Sequence, residues 1–197
     1  MDYLYSFSCS LERLLVLEDE ERAMKITLTE HEQRIAHFLA KERYNVNRDN
    51  NVHDAKKGEQ SNEFVDLEGI AGEMAFCKLF NVYPDLEIKV TTQDTDAGDC
   101  VLNGHKVDVK TTSYETGRLI CATWKNDDVD IYALMVGQFP TYSFRGMANA
   151  LYLKQESNIT DLGRGKVYAL EQSKLKYPNN YDNIGENQES GSRDNGF

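Results

Sequence analysis

Apolar and charged side chains alternate with a period of two along residues 105–111, His-Lys-Val-Asp-Val-Lys-Thr. This alternation predicts a strand with one apolar face and one charged face. The Asn-Gly pair at 103–104 tolerates the positive φ angles of a type I′ turn, so residues 98–102 should pair with this strand in a β-hairpin. The short loop sets the register, which predicts that Leu102 lies opposite His105, Cys100 opposite Val107 and Asp99 opposite Asp108.

The predicted register brings two carboxylates, Asp99 and Asp108, side by side, with Lys110 on the same face of the strand. Paired carboxylates beside an ammonium group suit a divalent cation next to a group that handles protons. The alternative is an exposed hairpin whose charges face water.

A helix is predicted before the hairpin, over Asp66–Phe80, because apolar residues recur there at helical spacing and Asp66 can serve as N-cap. Glu73 lies at the edge of the apolar stripe, from which a third carboxylate could reach the hairpin. Small residues in this helix would let it approach a sheet closely, despite the low helix propensity of glycine; they are Gly69, Ala71, Gly72 and Ala75.

The remaining pattern predicts a mixed β-sheet with helices on it, and hence an α/β fold of the mixed α+β kind. Helices are expected at Ser10–Met24 and at Thr29–Tyr44, the second opening with a capping box and burying Ile35, Phe38 and Leu39. The other expected elements are strands at Ile88–Thr92, Leu119–Trp124, Ile131–Val136 and Val167–Leu170, a strand that becomes a helical turn within Phe144–Leu153, and a helical turn at Gln172–Leu175.

The length of 197 residues fits one main core. We expect residues 1–60 to form an N-terminal helical arm and a basic loop, 61–177 the core and 178–197 a disordered tail. No apolar run is long enough for a membrane span and Met1–Ser10 lacks signal-peptide character, so a cytoplasmic protein without a membrane partner is expected. The cysteines have no Cys-x-x-Cys spacing, which favours packing over zinc or disulfides.

The formal net charge of −11 argues against tight, nonspecific binding of a polyanion. Basic residues nevertheless cluster within residues 41–57, where they alternate with asparagines that suit phosphate and base-edge contacts. The cluster comprises Lys41, Arg43, Arg48, Lys56 and Lys57. Its alternative is a solvated linker between Tyr44 and Ser61.

The order of these features resembles the PD-(D/E)xK nuclease superfamily, which has the restriction-endonuclease-like fold. The resemblance consists of Glu73 on a glycine-containing helix, then Gly98-Asp99, then Asp108-Val109-Lys110 followed by two threonines. Residues 68–175 are similar, more narrowly, to small phage- and prophage-encoded members. One departure is Gly98, where the superfamily motif has proline.

The resemblance implies a Mg²⁺-dependent endonuclease that hydrolyses DNA phosphodiester bonds in phage-related DNA processing, with Mn²⁺ able to substitute. It implies that Glu73, Asp99, Asp108 and Lys110 are catalytic and that Lys110 orients or deprotonates the attacking water. The metal would be held by Asp99, Asp108, the Val109 carbonyl and Glu73. DNA contacts are expected from Arg43, Arg48, Lys56, Lys57 and Thr112.

Two further functions remain open on the sequence. One is a resolvase of Holliday junctions or other branched DNA with the same fold, which a homodimer formed through the N-terminal helices would favour. The other is a non-catalytic module for DNA binding or protein interaction, including a structural phage component.

Overall fold

The fold is taken from a computed structural model that describes residues 24–50, 62–88, 98–125, 128–163 and 165–177. Several predicted features fall outside these residues. They are the helix at Ser10–Met24 up to residue 23, Lys56 and Lys57, the strand at Ile88–Thr92 beyond its first residue, and the tail from residue 178.

The described residues form a mixed α/β structure with two sheets, which confirms the prediction of a mixed α/β fold. A five-stranded sheet has the order β1-β6-β5-β3-β2, and a three-stranded sheet has the order β4-β8-β7. Only β3 and β5 pair in parallel among these strands. The helices are α1 (Glu30–Asp49), α2 (Asn62–Phe80) and α3 (Ala150–Leu153), and the strands are β1 (Met24–Thr27), β2 (Cys100–Leu102), β3 (His105–Thr112), β4 (Leu119–Ala122), β5 (Ile131–Gln138), β6 (Thr141–Asn149), β7 (Ile159–Asp161) and β8 (Lys166–Leu170).

The β2–β3 hairpin forms as predicted around Asn103 and Gly104, whose φ angles are 50° and 84°. Leu102 pairs with His105 and Cys100 with Val107, which confirms the register. The regular pairing ends there, so the predicted placement of Asp99 directly opposite Asp108 is wrong. Instead, the Asp99 N–H donates to the Val107 carbonyl at 2.7 Å.

Gly98 explains where the pairing ends. Its φ of 86° lies in the left-handed region, and a Cβ added there would lie 2.7 Å from the Val107 carbonyl oxygen. Glycine is therefore required at this position by the close backbone approach. The departure from proline in the motif accordingly has a local structural cause.

The five-stranded sheet is covered on both faces. Val107 and Val109 of β3 face a core that includes α1 and α2, whereas Tyr132 and Leu134 of β5 face a second core that includes β4 and β8. Asp108 is in register with Tyr132, and Lys110 with Leu134. Because side chains alternate along a strand, Asp108 and Lys110 point towards the second core.

For Asp108, this second layer contradicts the alternative of a hairpin whose charges face water. Asp108 is 1% exposed. All of residues 131–136 are likewise buried, as expected for a strand covered on both faces.

Helix α1 begins as predicted but packs through a different face. Thr29 is the N-cap and forms a capping box with Glu32, yet the helix continues to Asp49 rather than ending near Tyr44. Ile35 and Phe38 are 46% and 64% exposed, so their predicted burial is wrong. Buried alanines at 36 and 40 form the inner face instead, which allows close contact between helices.

Helix α2 begins at Asn62, so Asp66 lies within the helix and its predicted role as N-cap is wrong. The predicted close approach to the sheet is confirmed at Gly72, where an added Cβ would lie 2.0 Å from Thr111 Oγ1. At Gly69 an added Cβ would make only ordinary contacts, the nearest at 3.9 Å to Arg43 and Glu73.

The described part of the predicted N-terminal arm is integrated into the core. Strand β1, which the sequence pattern did not predict, pairs with β6. Leu28, Ala36 and Ala40 belong to the same buried cluster as α2 and β3. Within the described ranges, no helix is long and apolar enough to cross a membrane.

The predicted packing role of the cysteines is confirmed for those that the structure describes. Cys77, Cys100 and Cys121 are free thiols and are buried. Cys9 lies outside the described residues.

Candidate active site

Asp108 is a buried carboxylate held between two lysines. Its side chain is 2% exposed, and its Oδ1 and Oδ2 contact the ammonium groups of Lys110 and Lys125 respectively, the second at 2.6 Å. Burial favours the neutral acid, but the two positive charges and their hydrogen bonds outweigh it, so the pKa of Asp108 is lowered. The carboxylate is therefore ionised at neutral pH.

Lys125 was not predicted as a site residue. It ends a turn after β4, in which its N–H donates to the Ala122 carbonyl at 3.2 Å. No local motif marks this lysine, because its contact with Asp108 depends on how the smaller sheet packs over β3. The sequence alone therefore does not identify Lys125 as a site residue.

Lys110 lies beside Asp108 with its side chain 33% exposed. Burial disfavours its charged form, and so does the nearby Lys125. The attraction of Asp108 and Asp99 outweighs both, so the pKa of Lys110 is raised. In this arrangement Lys110 is a cation that donates hydrogen bonds.

Asp99 immediately precedes β2 and lies beside β3. Its Oδ2 accepts a 2.6 Å hydrogen bond from the Val109 N–H. Burial raises the pKa of Asp99 well above its ordinary value, and the negative charges of Glu73 and Asp108 raise it further, against the opposing effects of Lys110 and the Val109 hydrogen bond. Within the described part of the chain, Asp108 and Glu73 form ion pairs but Asp99 does not.

Glu73 is brought to this region by α2 and is paired with Arg43 of α1. The two guanidinium nitrogens Nη1 and Nη2 lie 3.2 Å from the two carboxylate oxygens. Burial lowers the pKa of Arg43, but the attraction of Glu73 outweighs it and the pKa is raised. This pair engages both terminal guanidinium nitrogens of Arg43, the residue predicted to contact DNA.

Of the other predicted DNA contacts, the structure describes Arg48 and Thr112, and each has a neighbour outside the group of acids. The Arg48 guanidinium lies 5.4 Å from the centre of the Tyr44 ring. The Thr112 hydroxyl accepts a hydrogen bond from the Tyr114 N–H at 3.3 Å. The structure thus brings together Glu73, Asp99, Asp108 and Lys110, with Arg43 attached to Glu73.

A divalent metal fits the donor chemistry of this site only in part. Among the residues that the structure describes, no group of three or more His, Cys, Asp or Glu side chains is arranged to hold a metal. Mg²⁺, however, commonly uses one or two carboxylates and completes its shell with water and phosphate. Asp99 and Asp108 offer two carboxylates for that smaller requirement, but the lysines contact both oxygens of Asp108, just as Arg43 contacts both oxygens of Glu73.

Residues 23–143 match a protein family described as a family of unknown function (DUF5843). The chain belongs to this family. The DUF5843 match spans most of the described core, from β1 into β6, and it contains Glu73, Asp99, Asp108, Lys110 and Lys125. No curated protein and no solved structure matches the chain.

Proposed function

We propose that this protein is a metal-dependent endonuclease that hydrolyses DNA phosphodiester bonds and has a restriction-endonuclease-like core. The observation that carries the proposal is that Asp99, bonded to the backbone of β3, lies within electrostatic reach of the buried Asp108–Lys110 pair on the same strand. Glu73 contributes its charge to the same region from α2. A role in phage-related DNA processing belongs to the same proposal and rests on the resemblance alone.

The energetics of the carboxylates support a site for an external cation. Burying carboxylates near one another costs folding free energy unless cations balance their charges. Lysines balance Asp108 and Arg43 balances Glu73. Asp99 has only the Val109 N–H as a direct partner among the described residues, so an added cation would be most favourable beside it.

The roles of the chain's own groups follow from this arrangement. Asp99 and Asp108 would hold Mg²⁺ or Mn²⁺, with the Val109 carbonyl and Glu73 as further oxygen donors. The bound metal would supply charge neutralisation at the phosphate and activation of water. Lys110 would orient the attacking water or a phosphate oxygen, and Lys125 would keep the Asp108 carboxylate in place.

The proposal is tested by incubating the purified protein with linear, single-stranded, supercoiled and four-way-junction DNA in Mg²⁺ or Mn²⁺. Asp108→Asn and Lys110→Ala should each abolish cleavage. Lys106→Ala is the matched control, because Lys106 lies on the same strand and pairs with an exposed aspartate, Asp128. Circular dichroism establishes that each variant is folded.

The outcomes are distinct. Metal-dependent cleavage that Lys106→Ala retains and the site variants lose supports the nuclease. Preference for the four-way junction, together with a dimer by light scattering, would favour the resolvase. Cleavage that survives both site variants would reject this site as catalytic.

A non-catalytic binding module is the second candidate, and one observation favours it. Asp108 and Glu73 are already neutralised by the protein's own cations, as in ion-pair networks that only stabilise a fold. Calorimetry with Mn²⁺ separates the two functions. Binding that Asp99→Asn weakens supports the nuclease, and absence of binding supports the module.

A further inference from the structure

Three lysines from separate parts of the chain meet on one side of the main sheet. Lys110 and Lys154 lie over the ring of Tyr132, 5.9 Å and 5.4 Å from its centre. Lys125 joins Lys110 at the Asp108 carboxylate. We call Lys110, Lys125 and Lys154 the lysine cluster.

The lysine cluster has the chemistry of a phosphate site. Ammonium groups supply much of the affinity of proteins for nucleic-acid backbones. Lys154 is held at the C-terminal end of α3, where its N–H donates to the Ala150 carbonyl at 2.9 Å. Two buried residues hold the three lysines close together. Asp108 contacts Lys110 and Lys125, and the Tyr132 ring lies beneath Lys110 and Lys154.

Trp124 immediately precedes Lys125 and is the one tryptophan in the chain. It is 83% exposed, although tryptophan is usually well buried in a fold. The turn that carries it is fixed at both ends. Lys125 N–H donates to the Ala122 carbonyl at 3.2 Å, and the Thr123 hydroxyl donates to the Lys166 carbonyl at 3.2 Å.

An exposed indole on the residue next to Lys125, and so next in sequence to the lysine cluster, matches one class of ligand. Proteins bind unpaired nucleic-acid strands by combining basic grooves with aromatic rings on which bases stack. A paired base inside a duplex has both faces covered by its neighbours, so it cannot offer a face to the indole. The combination therefore selects a strand with at least one unpaired nucleotide.

We propose that Trp124 and the lysine cluster form a subsite for an unpaired nucleotide, with its base stacked on the indole and its phosphate against the lysines. This subsite rests on the proposed function and specifies its substrate as a single strand, a frayed end or a flap. It also gives Lys125 and Lys154 a contact with substrate that the catalytic residues do not supply.

The test measures binding in EDTA, where no metal-dependent cleavage occurs. The probes are a fluorescein-labelled oligothymidine strand, an abasic strand of equal charge, and a blunt duplex. Anisotropy gives the affinity of each variant, and the indole fluorescence of the unmodified protein reports contact at Trp124 directly. Phe38→Ala, which removes an exposed aromatic ring on α1, and Lys174→Gln, which removes an exposed lysine, are the matched controls.

Oligothymidine should quench the indole fluorescence, and the abasic strand and the blunt duplex should not. Trp124→Ala should weaken oligothymidine binding about tenfold, within the usual range for loss of one base stack, and leave abasic binding unchanged. Lys154→Gln should weaken binding of both single strands. The two control variants should bind all probes as the unmodified protein does.

The subsite is rejected if Trp124→Ala binds oligothymidine as tightly as the unmodified protein does, or if the blunt duplex quenches the indole equally. That result leaves the nuclease standing wherever metal-dependent cleavage is observed. Conversely, Trp124-dependent binding without any cleavage supports the subsite and rejects the nuclease.

Discussion

The backbone N–H of Val109 donates a 2.6 Å hydrogen bond to the Asp99 carboxylate. This contact holds Asp99, which immediately precedes β2, against the strand that carries Asp108 and Lys110. It also fixes the side chain at a position where burial and two neighbouring carboxylates oppose its ionisation. The backbone of β3 thus holds the Asp99 side chain at a position where its ionised form is disfavoured.

Replacing Asp99 with asparagine should stabilise the protein at neutral pH. The pKa of Asp99 is raised in the folded state, so the folded protein binds this proton more tightly than the unfolded chain does. Its ionisation therefore costs stability above the folded pKa, and that cost disappears as the pH falls below the ordinary value of 3.8. Asparagine can keep the Val109 hydrogen bond without the charge.

Thermal melts should show a higher Tm for Asp99→Asn at pH 7, by roughly 2–4 °C for each kcal/mol gained. The difference should shrink in acid. Asp128→Asn, which removes an exposed carboxylate, is the control and should change little. A lower Tm for Asp99→Asn at neutral pH would contradict the assigned electrostatics.

Divalent metal should stabilise the unmodified protein more than the site variants. A ligand that binds only the folded state adds about 2.7 kcal/mol at a concentration one hundred times its Kd. We therefore expect Mn²⁺ to raise the Tm of the unmodified protein and of Asp128→Asn, and to have little effect on Asp99→Asn. Equal shifts in all three proteins would place the metal elsewhere.

The hairpin could be predicted because its determinants are local. Asn103 and Gly104 supply the turn, and the alternation of β3 sets its faces. The grouping of Asp99, Asp108 and Lys110 was predicted from that register, although the pairing stops before Asp99, and Glu73 was predicted from the helical periodicity before the hairpin. The need for glycine at position 98 could not be predicted, because it arises from the close approach of Gly98 to the Val107 carbonyl in the folded chain.

The burial of Asp108 could not be predicted from β3 alone. Its cover comes from β4, β8 and α3, which lie further along the chain. The contact between Lys125 and Asp108 could not be predicted for the same reason, because it depends on how these later elements pack over β3. Helix α1 illustrates a second limitation, because its periodicity favoured Phe38 as buried, whereas the close packing through Ala36 and Ala40 leaves Phe38 exposed.

Removing the Glu32 carboxylate should destabilise the protein in a pH-dependent way. Burial raises the pKa of Glu32, but hydrogen bonds from Lys78 at 2.7 Å and from the Thr29 N–H at 2.6 Å outweigh it, so the pKa is lowered. The stabilisation is complete above the ordinary value of 4.5 and is lost as the pH falls through the lowered folded value.

Glu32→Gln should therefore cost up to about 1 kcal/mol at pH 7 and less in acid, because glutamine can keep the Thr29 hydrogen bond but loses the charge that pairs with Lys78. Urea denaturation at both pH values measures the difference. Glu30→Gln, in the same helical turn, is the matched control. An equal loss in both variants would show that the charge acts on the helix generally rather than through its contacts with Lys78 and the Thr29 N–H.

Helix α2 offers a matched pair of glycines with opposite expected effects. Gly72→Ala would place a Cβ 2.0 Å from Thr111 Oγ1, so α2 must move away from β3. Overpacking of this kind costs about 1–3 kcal/mol. Gly69→Ala meets nothing closer than 3.9 Å and should gain up to about 1 kcal/mol from helix propensity.

Denaturant midpoints of the two variants should thus move in opposite directions, Gly72→Ala downwards and Gly69→Ala upwards. Thr111→Ala in the Gly72→Ala background should recover part of the loss, because it removes the Oγ1 and Cγ2 atoms that meet the new Cβ most closely. A stable Gly72→Ala protein would mean that α2 lies further from β3 than the structure has it. The position of Glu73 relative to Asp99 depends on the same distance, so these variants also test how rigidly the candidate site is supported from α2.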